Sequence, residues 1–247
     1  AVAIVAAACG VPVAKHGNRA SSSKSGAADV LEALGANLDI PKEAEEEALK
    51  IFHFAFLMAP AHHSAMKHVS LVRKQLGVRT IFNILGPLAN PAGTRHQLLG
   101  VYDKKLIRPM IETLKNLGAK TAWVVHGSDG LDEITTTGPT SIATLNHEGI
   151  IEEKDINPDD FGLKPSPFEK LLGGDATENA NALRAVLEGQ KCAYRNIVLA
   201  NTAAILNIHG STDTLIEGVE KAADAIDSGR AMQTLTDYIS FTREYIR

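Results

Sequence analysis

Apolar residues along the chain recur either at helical spacing or in short continuous runs typical of buried strands. Apolar runs fall at 11–14, 54–59, 96–102 and 122–126, and a hairpin is expected from 141–145 and 150–154. Helical spacing covers 1–9, 27–34, 41–51, 62–76, 104–117, 176–188, 193–209, 214–228 and a last stretch that ends near 245. Residues 86–95 and 157–174 are expected to be irregular. This alternation predicts an α/β fold with a largely parallel sheet flanked by helices.

The composition excludes several classes of protein. A formal charge of −4 argues against a broad nucleic-acid surface, since binding phosphate backbones needs an excess of clustered Lys and Arg. No apolar run approaches the roughly 18 residues that a membrane span requires. The two cysteines, Cys9 and Cys192, lie in apolar surroundings and are expected to be buried thiols rather than a disulfide. We therefore expect a cytoplasmic protein with no nucleic-acid or membrane partner.

The opening residues 1–9, AVAIVAAAC, are as apolar as the core of a signal peptide. However, no Met and no cationic region precede them, and they continue directly into Gly10-Val11-Pro12. We interpret them instead as part of a buried helix. Because natural domains rarely begin inside such a helix, we expect an upstream segment to be missing from this sequence.

A polar loop at 15–25 lies between the first predicted strand and the helix at 27–34. It combines cations with hydroxyls, and glycines on either side free its backbone: Lys15, Arg19, Lys24, Ser21, Ser22, Ser23, Ser25, Gly17 and Gly26. Backbone N–H groups at a helix start favour an anion, and cations with hydroxyls can surround a phosphate. The alternative, a solvated loop that caps the helix, explains Ser25 alone. The pattern favours a phosphate-binding loop.

An acidic pair, Asp132-Glu133, follows the strand predicted at 122–126 through a glycine-containing loop. Adjacent carboxylates at the carboxyl end of a strand suit Mg²⁺, which prefers oxygen ligands and keeps several waters. Taken alone, such a pair in a loop is more often simply solvated. The residues leave both interpretations open.

Three segments together resemble one family. They are KHGNRASSSKSGAADVLEALG at 15–35, HHSAMKHVSLVRKQLGVRTIFNILGPLANP at 62–91 and HGSDGLDEITTT at 126–137. All three resemble the corresponding motifs of the anthranilate phosphoribosyltransferase family, and the likeness continues to AIDSGRA at 225–231. The resemblance implies a fold like that of the nucleoside phosphorylases and phosphoribosyltransferases.

The resemblance also implies the site residues. Phosphoribosyl pyrophosphate would bind Lys15, His16, Gly17, Asn18, Arg19, Ala20, Ser21, Ser22, Ser23 and Ala27. The family usually has Ser where this chain has Ala27, so one hydroxyl contact would be absent or replaced by a backbone amide. Anthranilate would bind Asn18, Arg73, His16, His63 and Pro87, with the Arg73 guanidinium on the carboxylate. Asp132 and Glu133 would hold Mg²⁺, mostly through water.

The implied organisation is an α/β domain from 1–59 and 91–247, with 60–90 contributing to a small helical lobe. The family's GTGGD loop and Asn-x-Ser-Thr step would precede Ala1, and neither occurs in this sequence. We therefore expect a fragment of a protein that forms a homodimer when full length; the alternative is that this chain is inactive alone. The implied reaction is attack of the anthranilate amine on the ribose anomeric carbon, with inversion and release of pyrophosphate. No obligatory nucleophile or base is evident.

Three alternatives remain. The histidines His53, His62, His63 and His68 suggest a zinc site, although HExxH order and a second ligand set are missing. A pyrimidine nucleoside phosphorylase would share the fold and break the same type of ribosyl bond. A non-catalytic relative could bind nucleic acid through a basic groove, against which the net charge and the acceptor motif argue.

Overall fold

The structure, a computed structural model, describes residues 1–20, 24–63 and 81–246. Within these ranges the strands are β1 (Val13–Gly17), β2 (Phe54–Met58), β3 (His96–Gly100), β4 (Thr121–Gly127), β5 (Thr140–Leu145) and β6 (Ile151–Ile156). The helices are α1 (Val2–Ala8), α2 (Ala27–Leu34), α3 (Lys42–Phe52), α4 (Ala59–His62), α5 (Phe82–Leu88), α6 (Ile107–Asn116), α7 (Ala176–Leu187), α8 (Ala193–His209), α9 (Leu215–Asp227) and α10 (Arg230–Arg243). Three 3₁₀ turns lie at Lys104–Leu106, Pro158–Phe161 and Phe168–Leu171.

Strands β1 and β2 pair in parallel, with Val13 opposite Phe54 and Gly17 opposite Met58. All five residues of β2 are buried, as expected for a short apolar run in a strand that is covered on both faces. Helices α2 and α3 connect the two strands, and Gly35 ends α2 in the left-handed conformation, at a φ of 101°. This unit carries the loop that follows β1.

The other four strands form a second sheet in the order β3-β4-β5-β6. β3 and β4 are parallel, whereas β5 and β6 are antiparallel to their neighbours. The expected α/β fold is confirmed, but the largely parallel sheet is wrong among the described strands, where the sheets are mixed. The cause is that no helix occurs between β4 and β6, so the chain returns by short connections that only antiparallel strands allow.

Helices cover both faces of this second sheet. Met110, Ile111 and Leu114 of α6 pack against one face. Ala200, Ala203 and other buried residues of α8 pack against the opposite face. α9 approaches α8 closely, since a Cβ on Gly218 would lie 2.8 Å from the Cα of Ala203. α8 is therefore fixed against the sheet, and side chains on it can hold the loops above in place.

Several predicted boundaries are confirmed. α2 and α8 occur at the predicted residues, and β5 with β6 is the predicted hairpin. The helix predicted at 104–117 begins as a 3₁₀ turn in which the Asp103 side chain accepts a hydrogen bond from the Lys105 N–H, and it becomes α6 at Ile107.

Three predictions near the cleft are wrong. The strand predicted at 11–14 is Val13–Gly17 instead, so Lys15 and His16 lie within β1. The loop predicted at 86–95 begins later, because α5 continues to Leu88 with Pro87 inside it. The helix predicted at 62–76 does not start at His62, where α4 ends, and residues 64–76 lie outside the described ranges.

Cys9 and Cys192 are free thiols, as predicted, but both are partly rather than fully buried. Across the described ranges, no helix combines the length and apolar character needed to span a membrane.

Candidate active site

An open cleft of about 1540 Å³ runs between β1 and β3 and is lined by residues of both strands. The cleft lining includes residues from each of the three predicted sets of site residues. They are Lys15, His16, Gly17, Asn18, Arg19, Ala27, His63, Pro87, Asp132 and Glu133. A cleft beside the ends of parallel strands is the usual ligand site of an α/β sheet. One cavity therefore collects residues that are separated by more than a hundred positions along the chain.

The Asp29 carboxylate closes the loop that follows β1. Its Oδ2 accepts hydrogen bonds from the backbone N–H of Ala20 and of Gly26, both at 2.7 Å. The bonds from Ala20 and then Gly26 hold the pKa of Asp29 below its usual value. A Cβ on Gly26 would lie 2.8 Å from the Ala20 nitrogen, so glycine is required where the two ends meet. Ala20 and Gly26 are thus held together in a fixed neck at the start of α2.

The cations of this loop have different environments. Arg19 forms an exposed ion pair with Glu32 on α2, with Nε donating to Oε2 at 3.1 Å. The guanidinium is therefore held toward α2, although Arg19 also lines the cleft. Lys15 projects from β1 near Glu133, whose pKa it lowers. Lys15 is thus placed between the loop and the acidic pair.

His16 and His63 face each other in the cleft wall. Their rings meet edge to face with centroids 5.0 Å apart. The Nε2 atom of each is buried and has no hydrogen-bond partner within the described ranges. Burial, and then the nearby His63, lower the pKa of His16, while a hydrogen bond with the Gly86 backbone opposes this shift. His16 is therefore neutral at pH 7, and both Nε2 atoms are available to a ligand.

Two side-chain amides hold the α5 end of the cleft. Gln97 on β3 donates from Nε2 to the Pro87 carbonyl at 2.7 Å. Asn90 donates from Nδ2 to the Ala14 carbonyl on β1 at 3.0 Å. These bonds attach α5 and the chain after it to both strands, and they place Pro87 beside the histidine pair.

Asp129 organises the loop that carries the acidic pair. Its Oδ2 accepts hydrogen bonds from the hydroxyls of Thr135 and Thr137, and its Oδ1 accepts one from the Leu131 N–H at 3.1 Å. Burial alone would raise the pKa of Asp129, but the hydrogen bonds from Thr135, Thr137 and Leu131 together outweigh it and lower the pKa. The loop from 129 to 137 is thus ordered around one ionised carboxylate.

The acidic pair is held from two further sides. On α8, buried Asn201 accepts from the Ile134 N–H at 3.0 Å and donates to the Ile134 carbonyl at 2.8 Å. On β3, a Cβ at Gly100 would lie 1.6 Å from the Asp132 carbonyl oxygen, so only glycine allows this approach. Glu133 reaches solvent through the open cleft, yet its surroundings and the charge of Asp132 raise its pKa. A cation between the two carboxylates would relieve that repulsion.

Among the described residues, no group of three or more His, Cys, Asp or Glu side chains could hold a metal ion. Of the four histidines considered for zinc, His62 instead lies 2.9 Å from the Glu45 carboxylate, and His68 is outside the described ranges. Any cation at Asp132 and Glu133 would take its other ligands from water or substrate, as Mg²⁺ commonly does.

Comparison with known proteins supplies the family. A family model described as "Glycosyl transferase family, a/b domain" matches residues 1–232. The chain is 55% identical over 240 residues to the anthranilate phosphoribosyltransferase of Rhodospirillum rubrum, covering 97% of this chain and 69% of that protein. The enzyme of Azospirillum brasilense is 54% identical over 246 residues, with coverage of 100% and 68%. The chain belongs to the anthranilate phosphoribosyltransferase family.

Solved structures agree. The family member from Thermus thermophilus superposes with a TM-score of 0.89 at 44% identity, covering 98% of this chain and 72% of that one. The Saccharomyces cerevisiae enzyme in complex with PRPP and Mg superposes with a TM-score of 0.87 at 30% identity, with coverage of 98% and 69%.

Some residues predicted from the family motifs lie outside the described ranges, namely Ser21, Ser22, Ser23 and Arg73. The predicted site residues that the structure describes lie in or beside the cleft. Ala20 contributes its backbone N–H, which donates to the Asp29 carboxylate. Sequence reasoning missed Asp29, Asn90, Gln97, Asp129, Asn179 and Asn201. The Asp29 carboxylate in the first turn of α2, which accepts from the Gly26 N–H, is a helix-start signal that could have been found from the sequence. The amides could not, because a long-range hydrogen bond leaves no local pattern.

We expect Gly100→Ala to displace the acidic pair, because the new methyl would occupy the position of the Asp132 carbonyl. Overpacking of this kind costs about 3 kcal/mol of unfolding free energy, since a backbone atom must move. Urea unfolding measures the effect. Gly86→Ala is the control, because a methyl there meets no atom of the described residues within 4 Å. Equal stability of the Gly100→Ala and wild-type proteins would contradict the packing argument.

We expect the 129–137 loop to lose stability at acid pH through Asp129. Its pKa is lower folded than unfolded, so its stabilisation is complete above the unfolded value of about 3.9 and disappears as pH falls through the folded pKa. Asp129→Asn should therefore be less stable than wild type at pH 6, and the difference should shrink toward pH 3. Denaturation across this range measures it. Asp159→Asn, at an exposed position, is the control. A difference independent of pH would contradict the assignment.

Proposed function

We propose that this chain transfers the phosphoribosyl group of phosphoribosyl pyrophosphate to the amine of anthranilate and releases pyrophosphate, a step of tryptophan biosynthesis. The observation that carries the proposal is the single cleft that contains the phosphate loop, the histidine pair and the acidic pair. The relatives support it, since a yeast family member was solved with PRPP and Mg and another structure of it contains 4-fluoroanthranilate.

The 20–26 loop would bind the phosphates of the sugar. Asp29 fixes its neck, and the N-terminus of α2 adds N–H groups and a favourable dipole. Ala27 offers a backbone amide where the family usually has a hydroxyl. Lys15 would balance charge on the side nearer Glu133. We include Ser21, Ser22 and Ser23 in this proposal on the family motif alone.

The acceptor would lie between the histidine pair and Pro87. Two imidazole edges with available Nε2 atoms suit a planar aromatic acid with an amine and a carboxylate. Asn18, which lines the cleft between the phosphate loop and the histidines, would contact both substrates. Arg73 would bind the anthranilate carboxylate, again on the family motif.

Asp132 and Glu133 would hold Mg²⁺, whose contribution when bound is to neutralise charge on pyrophosphate. The donor set fits: two adjacent carboxylates that both line the cleft offer the hard oxygen ligands that Mg²⁺ prefers. The chain's own part is to fix the pair, through Asn201, Asp129 and Gly100.

In the reaction, the C–N bond would form as the bond from the anomeric carbon to pyrophosphate breaks, and the bonding pair would leave with pyrophosphate. The amine nitrogen then loses a proton. An aromatic amine already has a free lone pair, so it needs no base before attack. Neutral His16 can orient the amine and accept a hydrogen bond from it.

The domain arrangement belongs to the same proposal. Residues 60–90 would contribute to a small helical lobe, with 1–59 and 91–247 forming the α/β domain. A homodimer of the full-length protein is also part of it.

The test is a pair of assays on the complete natural polypeptide with Mg²⁺. Phosphoribosyl pyrophosphate plus anthranilate should release pyrophosphate only when both are present. Thymidine plus phosphate should give no base release. Release of base from thymidine, without release of pyrophosphate from phosphoribosyl pyrophosphate, would instead identify a nucleoside phosphorylase. Salt-sensitive DNA binding without either activity would assign a nucleic-acid-binding relative.

We expect His16→Ala to raise the KM for anthranilate and to lower kcat by less than about tenfold, because the residue positions an amine that is already nucleophilic. Steady-state kinetics at pH 7 to 8 measure both constants. Lys50→Ala, at an exposed position on α3 that does not line the cleft, is the control. A fall in kcat of roughly 10² or more would instead identify His16 as a general base.

A further inference from the structure

The segment 173–179, GGDATEN, begins α7 with a reciprocal pair of hydrogen bonds that the proposed reaction does not use. The Asp175 Oδ1 accepts from the Glu178 N–H at 2.9 Å, and the Glu178 Oε2 accepts from the Asp175 N–H at 2.9 Å. This capping box fixes the first turn of α7 and hence the direction of the side chains on it.

The two glycines allow the chain to fold over that turn. A Cβ on Gly174 would lie 1.8 Å from the Glu178 Oε2, and a Cβ on Gly173 would lie 3.0 Å from the Asn179 Oδ1. Because both acceptors are already held by hydrogen bonds, neither can move aside freely. The backbone of 173–174 is therefore in direct contact with the Glu178 and Asn179 side chains.

Both ends of the Asn179 amide are occupied. Its Oδ1 accepts from the Gly174 N–H at 2.9 Å, and its Nδ2 donates to the Gly174 carbonyl at 3.0 Å. Exchanging oxygen and nitrogen would set donor against donor and acceptor against acceptor, so the amide orientation is determined. The second Nδ2 hydrogen then points to a third group.

That third group is the Ser25 hydroxyl, whose Oγ accepts from Asn179 Nδ2 at 2.7 Å. Ser25 is the residue before Gly26, at the end of the loop whose neck Asp29 closes. The segment from Lys170 to Gly173 lines the same cleft as the loop. Asn179 thus joins the phosphate-binding loop to a second wall of the cleft across 154 residues of sequence.

We propose that Asn179 is a positioning residue for phosphoribosyl pyrophosphate: its amide fixes Ser25 and couples the phosphate-binding loop to the wall formed by 170–174. The proposal rests on the proposed function. Asp29 fixes the neck by two backbone bonds, and Asn179 fixes the last side chain of the loop from outside. Loss of the amide leaves the neck intact and loosens only the pyrophosphate end of the site.

Asn179→Asp keeps the acceptor for Gly174 and removes both donors, whereas Asn179→Ala removes all three bonds without adding charge. In the complete natural polypeptide, each should raise the KM for phosphoribosyl pyrophosphate roughly tenfold, the effect of losing one well-placed hydrogen bond. The KM for anthranilate should change less than about twofold, since the acceptor end is untouched. Asn181→Asp, at an exposed position on the same helix, is the matched control and should behave as wild type.

A double-mutant cycle tests whether Asn179 affects the binding of phosphoribosyl pyrophosphate through Ser25. Ser25→Ala and Asn179→Ala both lose the hydrogen bond between Asn179 and Ser25, so the double variant should be less impaired than the two single effects multiplied together. Ser25→Thr, which keeps a hydroxyl, should restore most of the affinity. Calorimetric binding of phosphoribosyl pyrophosphate with Mg²⁺ gives a second readout, and thermal unfolding shows whether each variant is folded.

Equal changes in both KM values, additive effects in the cycle, or an effect of Asn179→Asp alone would overturn the inference; the last would mean simple charge repulsion. A folded Asn179→Ala protein with wild-type constants would do the same. Failure of the proposed function looks different, since the wild-type protein itself would then neither bind phosphoribosyl pyrophosphate nor release pyrophosphate.

Discussion

The hydrogen bonds that the Asp29 carboxylate accepts from Ala20 and Gly26 are the constraint on which the site depends. They bring together Ala20 and Gly26, the described residues on either side of the segment that precedes α2. The same carboxylate occupies the first turn of α2, where negative charge is favourable. Closure of the neck and the start of α2 therefore have one cause.

Uncharged side-chain amides hold the other segments around the cleft in place. Asn90 and Gln97 attach α5 to the strands, Asn201 holds the chain beside the acidic pair, and Asn179 reaches Ser25. An amide offers a donor and an acceptor at fixed spacing and adds no net charge. These amides therefore fix the geometry of the cleft without changing its charge, which in the proposed function is set by pyrophosphate, a cation and two carboxylates.

The sequence allowed the helices with clear periodicity to be predicted, and α2 and α8 begin and end as expected. The end of β1 was misplaced because the apolar run ends at Ala14, whereas pairing with β2 continues through Lys15 and His16. The helix at α5 was missed because Gly86 and Pro87 usually mark a loop. Local patterns could place the site residues on their elements. They could not reveal the Arg19–Glu32 pair or the Asn179 contact, which depend on how distant elements meet.

The geometry favours positioning over acid–base chemistry as the main source of rate. Holding two reactants in a near-attack arrangement can lower a barrier by about 7–11 kcal/mol. A general base contributes roughly 10² to 10⁴ in rate, which corresponds to about 3–5 kcal/mol. The acceptor here is an aromatic amine with a free lone pair, so deprotonation can follow attack. Neutral His16, whose pKa is lowered mainly by burial, is suited to orient that amine. The site is built from a closed loop, side-chain amides and paired imidazoles. Each of these holds a group in position and none supplies a nucleophile, as catalysis by positioning requires.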